Sequence, residues 1–310
     1  LMTPVRFIDG GIDNVLGKEQ CFANKVPCGF TPFKTQLDDG EEFSFDTMMG
    51  FAGSVDQINA KIDTFCKEGY LQDKFVEAEE LAESFTSDVK THTAAGKFDQ
   101  YIEQCYLDNF LRGGYPYVLN KDGNKSIIHL FSRKHGDPER DYNFFSIAAE
   151  YYSQGNGNFR DVSQNRRNDV FFNKDVGDFN VKTFFSLVQA DGYNPLEVRP
   201  SLFNVIEGKE EEVKAYVKES IDGDASAIVK IVEGKFTPGQ ISNTIARLQL
   251  NLKVDDGEFI ANILNNCNQN IEAGFGEGYW SDHWDYNMDL VDNYLSAVSY
   301  THLRAHETAA

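Results

Sequence analysis

Apolar and polar positions change their spacing several times along the chain, and each change predicts an element. Residues 1–50 hold short apolar runs between turn signals at Asp9-Gly10-Gly11 and Asp38-Asp39-Gly40, which predicts a few short strands. At Ser54 the spacing becomes helical. Ser54 with Gln57 forms a capping-box pattern, and Val55, Ile58, Ile62 and Phe65 recur on one face until Gly69. A second, acidic helix is predicted over about 72–90, marked by Phe75, Leu81 and Phe85. A third, over about 97–111, carries Phe98, Tyr101, Ile102, Cys105, Tyr106 and Phe110 on one face. Each has a single apolar stripe, so these helices are expected to bury against one another.

Strand-like runs return at Tyr115–Leu119 and Ser126–Phe131. From there to about 200 the chain is dense in Asn, Asp, Arg and Gly, with few clean periods, and reads as long polar segments. Helical spacing resumes over 209–232, over 238–251 (Ile241, Ile245, Leu248) and over 256–272 (Phe259, Ile260, Ile263, Leu264). A last amphipathic stretch starts near Trp284 and includes Met288, Leu290, Val291 and Leu295. Strands, then linker helices, then a helical domain with long polar insertions is the order predicted. Binding residues concentrate on such insertions.

Charge narrows the partners. The 310 residues carry 29 Lys and Arg against 49 Asp and Glu, a net charge of −20. A field of that sign repels phosphate backbones and anionic lipid, so neither nucleic acid nor a membrane surface is an expected partner, and no apolar run is long enough to span a bilayer. Neutral sugars remain compatible. The 25 Phe and 14 Tyr suit stacking on pyranose C–H faces, although core packing uses most such rings. Cys21, Cys28, Cys66, Cys105 and Cys267 are scattered without a CxxC pair, which reads as reduced and cytoplasmic. No His lies at ligand spacing, so no metal is expected.

The densest chemistry lies in 155–170, Gly155-Asn156-Gly157-Asn158-Phe159-Arg160-Asp161-Val162-Ser163-Gln164-Asn165-Arg166-Arg167-Asn168-Asp169-Val170. Glycines permit tight bends, and Asp, Asn, Gln and Arg offer both donors and acceptors, as a neutral polyol requires. A solvated polar loop has the same composition. Neither a GxxxxGK[ST] nor a helix-opening GxGxxG motif is present.

Arg160-Asp161-Val162-Ser163-Gln164-Asn165 resembles the Arg-Asp-x-Asn-Gln-Asp segment of the cellobiose phosphorylases. Gln189-Ala190-Asp191-Gly192-Tyr193 resembles that family's second Gln-x-x-Asp-Gly segment. Glu277-Gly278-Tyr279-Trp280-Ser281-Asp282-His283-Trp284 falls where the family has Ser-Asp-Asp-x-x-Trp. The wording of Ser132–Pro138 and Phe236–Gly239 is closer to the large β-glucan phosphorylases of the same clan (glycoside hydrolase family 94 and relatives). Two positions depart from the pattern: Asn165 stands in place of Asp, and His283 in place of a second Asp.

The resemblance covers roughly 1–297. It implies an α+β, mainly α chain: 1–50 the end of a β-sandwich domain, 51–95 a helical linker and 96–297 the first part of an (α/α)6 barrel. Residues 298–310 resemble a translated sequencing adapter, so the gene is expected to be cut at both ends. By the resemblance Arg160, Asp161, Gln164, Asn165, Asp191, Tyr193, Trp280, Asp282 and His283 would bind a β-linked gluco-oligosaccharide, and Arg166 and Arg167 would face inorganic phosphate as co-substrate. No other cofactor is implied, the general acid is expected beyond 297, and the intact enzyme would be a homodimer. The residues themselves leave two alternatives open. One is an inverting hydrolase with Asp282 or Glu277 as acid and Asp161 as base; the other is a non-catalytic carbohydrate-binding module. Bland readings stand beside the functional ones: Arg160 and Asp161 as a local salt bridge, Asp191 as a turn residue, Tyr193 and Trp280 as core.

Overall fold

The computed structural model describes residues 5–18, 33–50, 52–119, 124–131, 147, 150–276 and 280–307, the last nine without their side chains. The chain divides into two compact units, 1–71 and 72–310.

In the first unit, helix Val5–Gly10 (α1) leads into a 3-10 turn at Ile12–Asn14, and helices Val55–Asn59 (α2) and Ile62–Phe65 (α3) follow. None of the strands expected in 1–50 forms among its described residues. An isolated strand leaves its backbone groups without a ladder, and 33–50 has no strand partner among the described residues. The rings of Phe33, Phe43 and Phe45 gather on each other instead, Phe33 lying 4.9 and 4.7 Å from the other two. Ser54 caps α2 as its pattern predicts, its hydroxyl accepting from the Gln57 N–H at 3.3 Å. The Gln57 side chain reaches one residue further back, accepting from the Gly53 N–H at 2.9 Å.

The second unit begins with helix Tyr70–Thr86 (α4), which straddles the division, followed by helix Gly96–Gly113 (α5). Both ranges match expectation; their packing only partly does. Phe85 meets Phe110 and Tyr115, whereas Phe75 and Leu81 stay 63% and 56% exposed. Strands Tyr115–Leu119 (β1) and Ser126–Leu130 (β2) pair antiparallel, Tyr115 opposite Leu130 and Leu119 opposite Ser126. Gly114 turns the chain from α5 into β1 at φ 83°. A Cβ there would lie 2.9 Å from that of His129, so glycine is required twice over.

Strand Gly157–Asn158 (β3) and helices Phe159–Arg166 (α6), Asp169–Phe172 (α7) and Phe179–Ser186 (α8) come next. Then follow strands Glu197–Val198 (β4) and Leu202–Val205 (β5), helix Glu210–Ser220 (α9), strand Ile221–Asp222 (β6), and helices Ser226–Val232 (α10) and Pro238–Leu248 (α11). Strand Asn251–Leu252 (β7), helix Asp256–Leu264 (α12), strands Cys267–Asn270 (β8) and Ala273–Gly274 (β9) and helix Asp282–Glu307 (α13) complete it. The chain is therefore mainly helical with small sheets. None of its described helices is long and apolar enough to cross a membrane.

Two expected helices end early. Residues 209–232 are cut by β6 and by Gly223 at φ 111°. The 256–272 run stops at Leu264 because its apolar stripe stops there. Asn and Gln residues then form β8, which pairs antiparallel with β5, Val205 opposite Cys267. α11 holds to its prediction: Thr237 accepts from the Gln240 N–H at 3.2 Å, Gln240 accepts from the Thr237 N–H at 3.1 Å, and Pro238 opens the first turn.

One core gathers α9 to α12 around β5 and β8, with Phe203, Phe236, Phe259, Ile260 and Ile263 fully buried. A second joins Phe159 and Val162 of α6 to Phe184, Val198 and Leu290. Each fully buried ring is worth about 1.5–3 kcal/mol of transfer free energy. Phe259→Ala, which leaves a cavity as well, is expected to lower unfolding stability by about 3–5 kcal/mol. A urea titration followed by far-UV circular dichroism measures it; a loss below about 1 kcal/mol would mean that this core is not packed as described.

Candidate functional site

The 155–170 segment is not the polar loop that its composition predicts. Most of it is α6, held by a narrow stripe at i, i+3, i+4 and i+7: Phe159, Val162, Ser163 and Arg166 are all buried. Only two of the four are apolar, which hides the helical period. Phe159 donates its N–H to the Leu196 carbonyl at 3.0 Å, and the sheet β3-β4-β9, with Gly157 opposite Val198 and Glu197 opposite Gly274, fixes where α6 starts.

α6 and α13 run side by side in the same direction. Arg160 pairs with Asp282 (Nη1–Oδ2 3.8 Å), and seven residues on Arg167 pairs with Asp289. The N-terminal ends of both helices therefore meet. Asp161 and Asp282 lie in their first turns, where the helix dipole favours negative charge. Arg160 also lies 3.7 Å from Asp161 (Nε–Oδ1), so one half-exposed guanidinium stands between two carboxylates. Asn158 donates to Asp161 Oδ2 at 3.2 Å.

His283 packs under this group. It is 5% exposed, with its ring stacked on Phe159 (centroids 5.4 Å apart) and on Trp280 (6.2 Å). Burial lowers its pKa, helped by Arg160 and opposed by Asp282 and Asp161, so the imidazole is neutral at neutral pH. Among the described residues its Nδ1 has no hydrogen-bond partner, nor has either amide atom of Asn287 one turn along α13, nor the Ser163 hydroxyl. Trp280 stays 47% exposed. Its carbonyl accepts from the side chain of Asn194, next in sequence to the exposed Tyr193, at 3.2 Å.

The expected site residues thus divide. Arg160, Asp161, Trp280, Asp282 and His283 come together; Tyr193 is tied to them through its neighbour Asn194. Asp191 does not join: its carboxylate accepts from the Tyr193 N–H at 3.0 Å and closes a turn around Gly192 at φ 87°. Gln164 and Asn165 lie further along α6, half-buried, and the Asn165 amide donates to the Asp161 carbonyl at 2.7 Å. Glu277, Cys21, Cys28 and His135 lie outside the described residues. Cys66, Cys105 and Cys267 are free thiols.

Arg166 and Arg167, expected on phosphate, are both engaged within the protein. Arg167 pairs with Asp289. Arg166 is buried, donating from Nε to the Gly113 carbonyl at 2.6 Å, and burial brings its pKa down to about 10 against the pull of Asp169. Asp169 in turn accepts from Asn180 at 2.9 Å and faces His129 Nε2 at 2.9 Å, while Asn180 also donates to the Arg166 carbonyl. Sequence reasoning missed this cluster. His129 sits inside an apolar strand and Asp169 inside a polar run, and only the fold brings them together. Among the described residues no group of His, Cys, Asp and Glu could hold a metal.

Compared with protein-family models, with curated proteins and with solved structures, the chain matches none.

Burial drives the His129 pKa from 6.5 down to about 4, with Arg166 adding and Asp169 opposing. A folded-state pKa below the unfolded one means that the unfolded chain takes up the proton first. The contribution is complete above about pH 6.5 and is lost as pH falls toward 4, on the order of a few kcal/mol. Denaturant midpoints measured from pH 7 to 4 are expected to fall across this window in the wild type and to flatten in His129→Gln. An equally steep fall in both would place the titrating group elsewhere.

Proposed function

We propose that the joined N-terminal ends of α6 and α13 form the sugar-binding face of an inverting glycoside phosphorylase of the cellobiose phosphorylase type, in which α5 onward is the first part of an (α/α)6 barrel. The substrate class is a β-linked gluco-oligosaccharide, with inorganic phosphate as co-substrate. The observation that carries this reading is Arg160 set between Asp161 and Asp282 beside the exposed Trp280 indole. Charged donors and acceptors suit the equatorial hydroxyls of a glucosyl unit, and the flat indole suits its C–H face. The resemblance of the two segments that supply these residues, 160–165 and 277–284, supports the same assignment.

In such a reaction a carboxylic acid protonates the departing glycosidic oxygen while phosphate attacks the anomeric carbon from the opposite face. The C–O bond to the leaving sugar breaks as the bond to phosphate oxygen forms, and a sugar 1-phosphate of inverted configuration results. Phosphate is already a nucleophile, so no general base is needed. Arg160, Asp161 and Asp282 bind and orient the sugar; Trp280 supplies the platform. The acid is assigned to none of them.

Cello- or laminari-oligosaccharide is expected to change the tryptophan fluorescence of the chain. Arg160→Ala or Asp282→Asn should weaken binding by about 10-fold or more, the size of hydrogen bonds to charged groups. Phosphate should shift the affinity. Undiminished binding by both variants would remove the site from this face. An affinity indifferent to phosphate would make the protein a carbohydrate-binding module, and phosphate-independent cleavage abolished by Asp282→Asn would make it a hydrolase.

A further inference from the structure

The far end of α6 borders a second cavity that the proposed sugar face does not use. It lies between α5, the start of β1 and the α6–α7 junction, and encloses about 490 Å³ of atom-free space, its open mouth included. Tyr106, Phe110, Tyr115 and Phe172 form an aromatic wall. The Tyr106 ring lies 4.7 Å from Phe110 and 4.6 Å from Phe172, and Phe110 lies 5.3 Å from Tyr115, all edge to face.

The charged lining is one-sided. Asp88 stands exposed at the cavity and Asp169 lines it from within, while among the described residues no Lys, Arg or His borders the space. Asn109 and Asn165 each give one amide N–H to a backbone carbonyl, of Cys105 at 2.9 Å and Asp161 at 2.7 Å, and keep a second. A carbonyl partner can only face the NH2 end of an amide, so each has its oxygen left to offer. Asn173 is occupied at both ends, accepting from the Asp175 N–H and donating to the Pro116 carbonyl. The Asn168 oxygen already accepts from Asn293, so the wall offers amide oxygens, amide N–H groups and two phenols side by side. The Tyr106 phenol feels the resulting potential: burial raises its pKa, and Asp88, Asp169 and Tyr115 raise it further.

From this combination of an aromatic wall and two carboxylates, with no cation among the described lining residues, we infer a binding site for a small organic ammonium ion. A cation is attracted by the faces of aromatic rings and by carboxylates together, and gains more where water is partly excluded. An anion would meet the exposed Asp88, while Arg166, outside the space, is already matched to Asp169. A neutral sugar could use the amides but would leave the Asp88 charge unanswered.

The test uses the full chain at constant ionic strength, with tetramethylammonium chloride as the probe and methyl glucoside as the neutral competitor. Saturation-transfer NMR and calorimetry are expected to show saturable binding of the cation, not displaced by methyl glucoside. Phe172→Ala and Asp88→Asn, both at partly or fully exposed positions, should each weaken it by at least about fivefold, from the usual size of a cation–π or carboxylate contact. Arg160→Ala should leave it unchanged, which separates this site from the sugar face. Absence of saturable binding overturns the inference, as does binding indifferent to both substitutions in chains whose circular dichroism is unaltered. Displacement by methyl glucoside overturns it in favour of a polyol pocket.

Discussion

Of the described residues, Arg166 is the one Lys or Arg that the fold buries, and the arrangement around α6 depends on how its charge is accommodated. A buried guanidinium is tolerable only with hydrogen bonds and a counter-charge close by. The Gly113 carbonyl supplies the first and Asp169 the second, while Asn180 and a neutral His129 hold Asp169 in place. Those contacts tie α6 to the end of α5, to β2, to α7 and to α8. Removing one partner would strand the others in low dielectric, at a cost of about 3–5 kcal/mol. The cluster is therefore a constraint on geometry more than a source of net stability. It fixes the rotation of α6 about its own axis, and that rotation decides which side chains reach the surface.

Rotation follows through to function by helical arithmetic. With Phe159, Val162, Ser163 and Arg166 turned inward, Arg160 and Arg167 face α13 and meet Asp282 and Asp289, each pair seven residues apart. Asn165 falls on another side and lines the cavity against α5. One short helix thus presents a charged group at its start and an amide-lined, aromatic space near its end. The two proposed sites differ because the partners of α6 differ at its two ends, α13 and the three-stranded sheet at one and α5 at the other.

Where the apolar period was strong, the elements were legible in the residues alone. α4, α5, the β1–β2 hairpin and α11 lie within a few residues of their predicted ranges, since each carries several apolar side chains at one spacing or a capping box. α6 was not legible, because half of its buried stripe is Ser163 and Arg166, residues that only tertiary partners can bury. Strands were expected in 1–50 from glycine turns and short apolar runs, features that fix where a chain bends but provide no partner for a ladder. The same distinction applies to the site. Arg160, Asp161, Trp280, Asp282 and His283 were legible as a set through the segments they stand in, while the burial of Arg166 and the turn-closing role of Asp191 depend on neighbours far away in sequence.

Charge bears on the last step of the proposed chemistry. At the proposed sugar face the near groups are one guanidinium and two carboxylates around a neutral imidazole, a local sum of about −1 in a chain of net −20. A neutral sugar is indifferent to that sum; a phosphate dianion is not, and at a few ångströms in a medium of intermediate dielectric constant each unit of like charge opposes it by several kcal/mol. Sugar and phosphate subsites of a phosphorylase must therefore be electrostatically distinct even though they adjoin. Arg166 cannot supply the phosphate side without abandoning Asp169 and Gly113, and Arg167 cannot without releasing Asp289 and loosening α6 from α13. On the proposed reading, cations for phosphate would come from side chains other than these two, set against the anomeric face of a sugar held by Arg160.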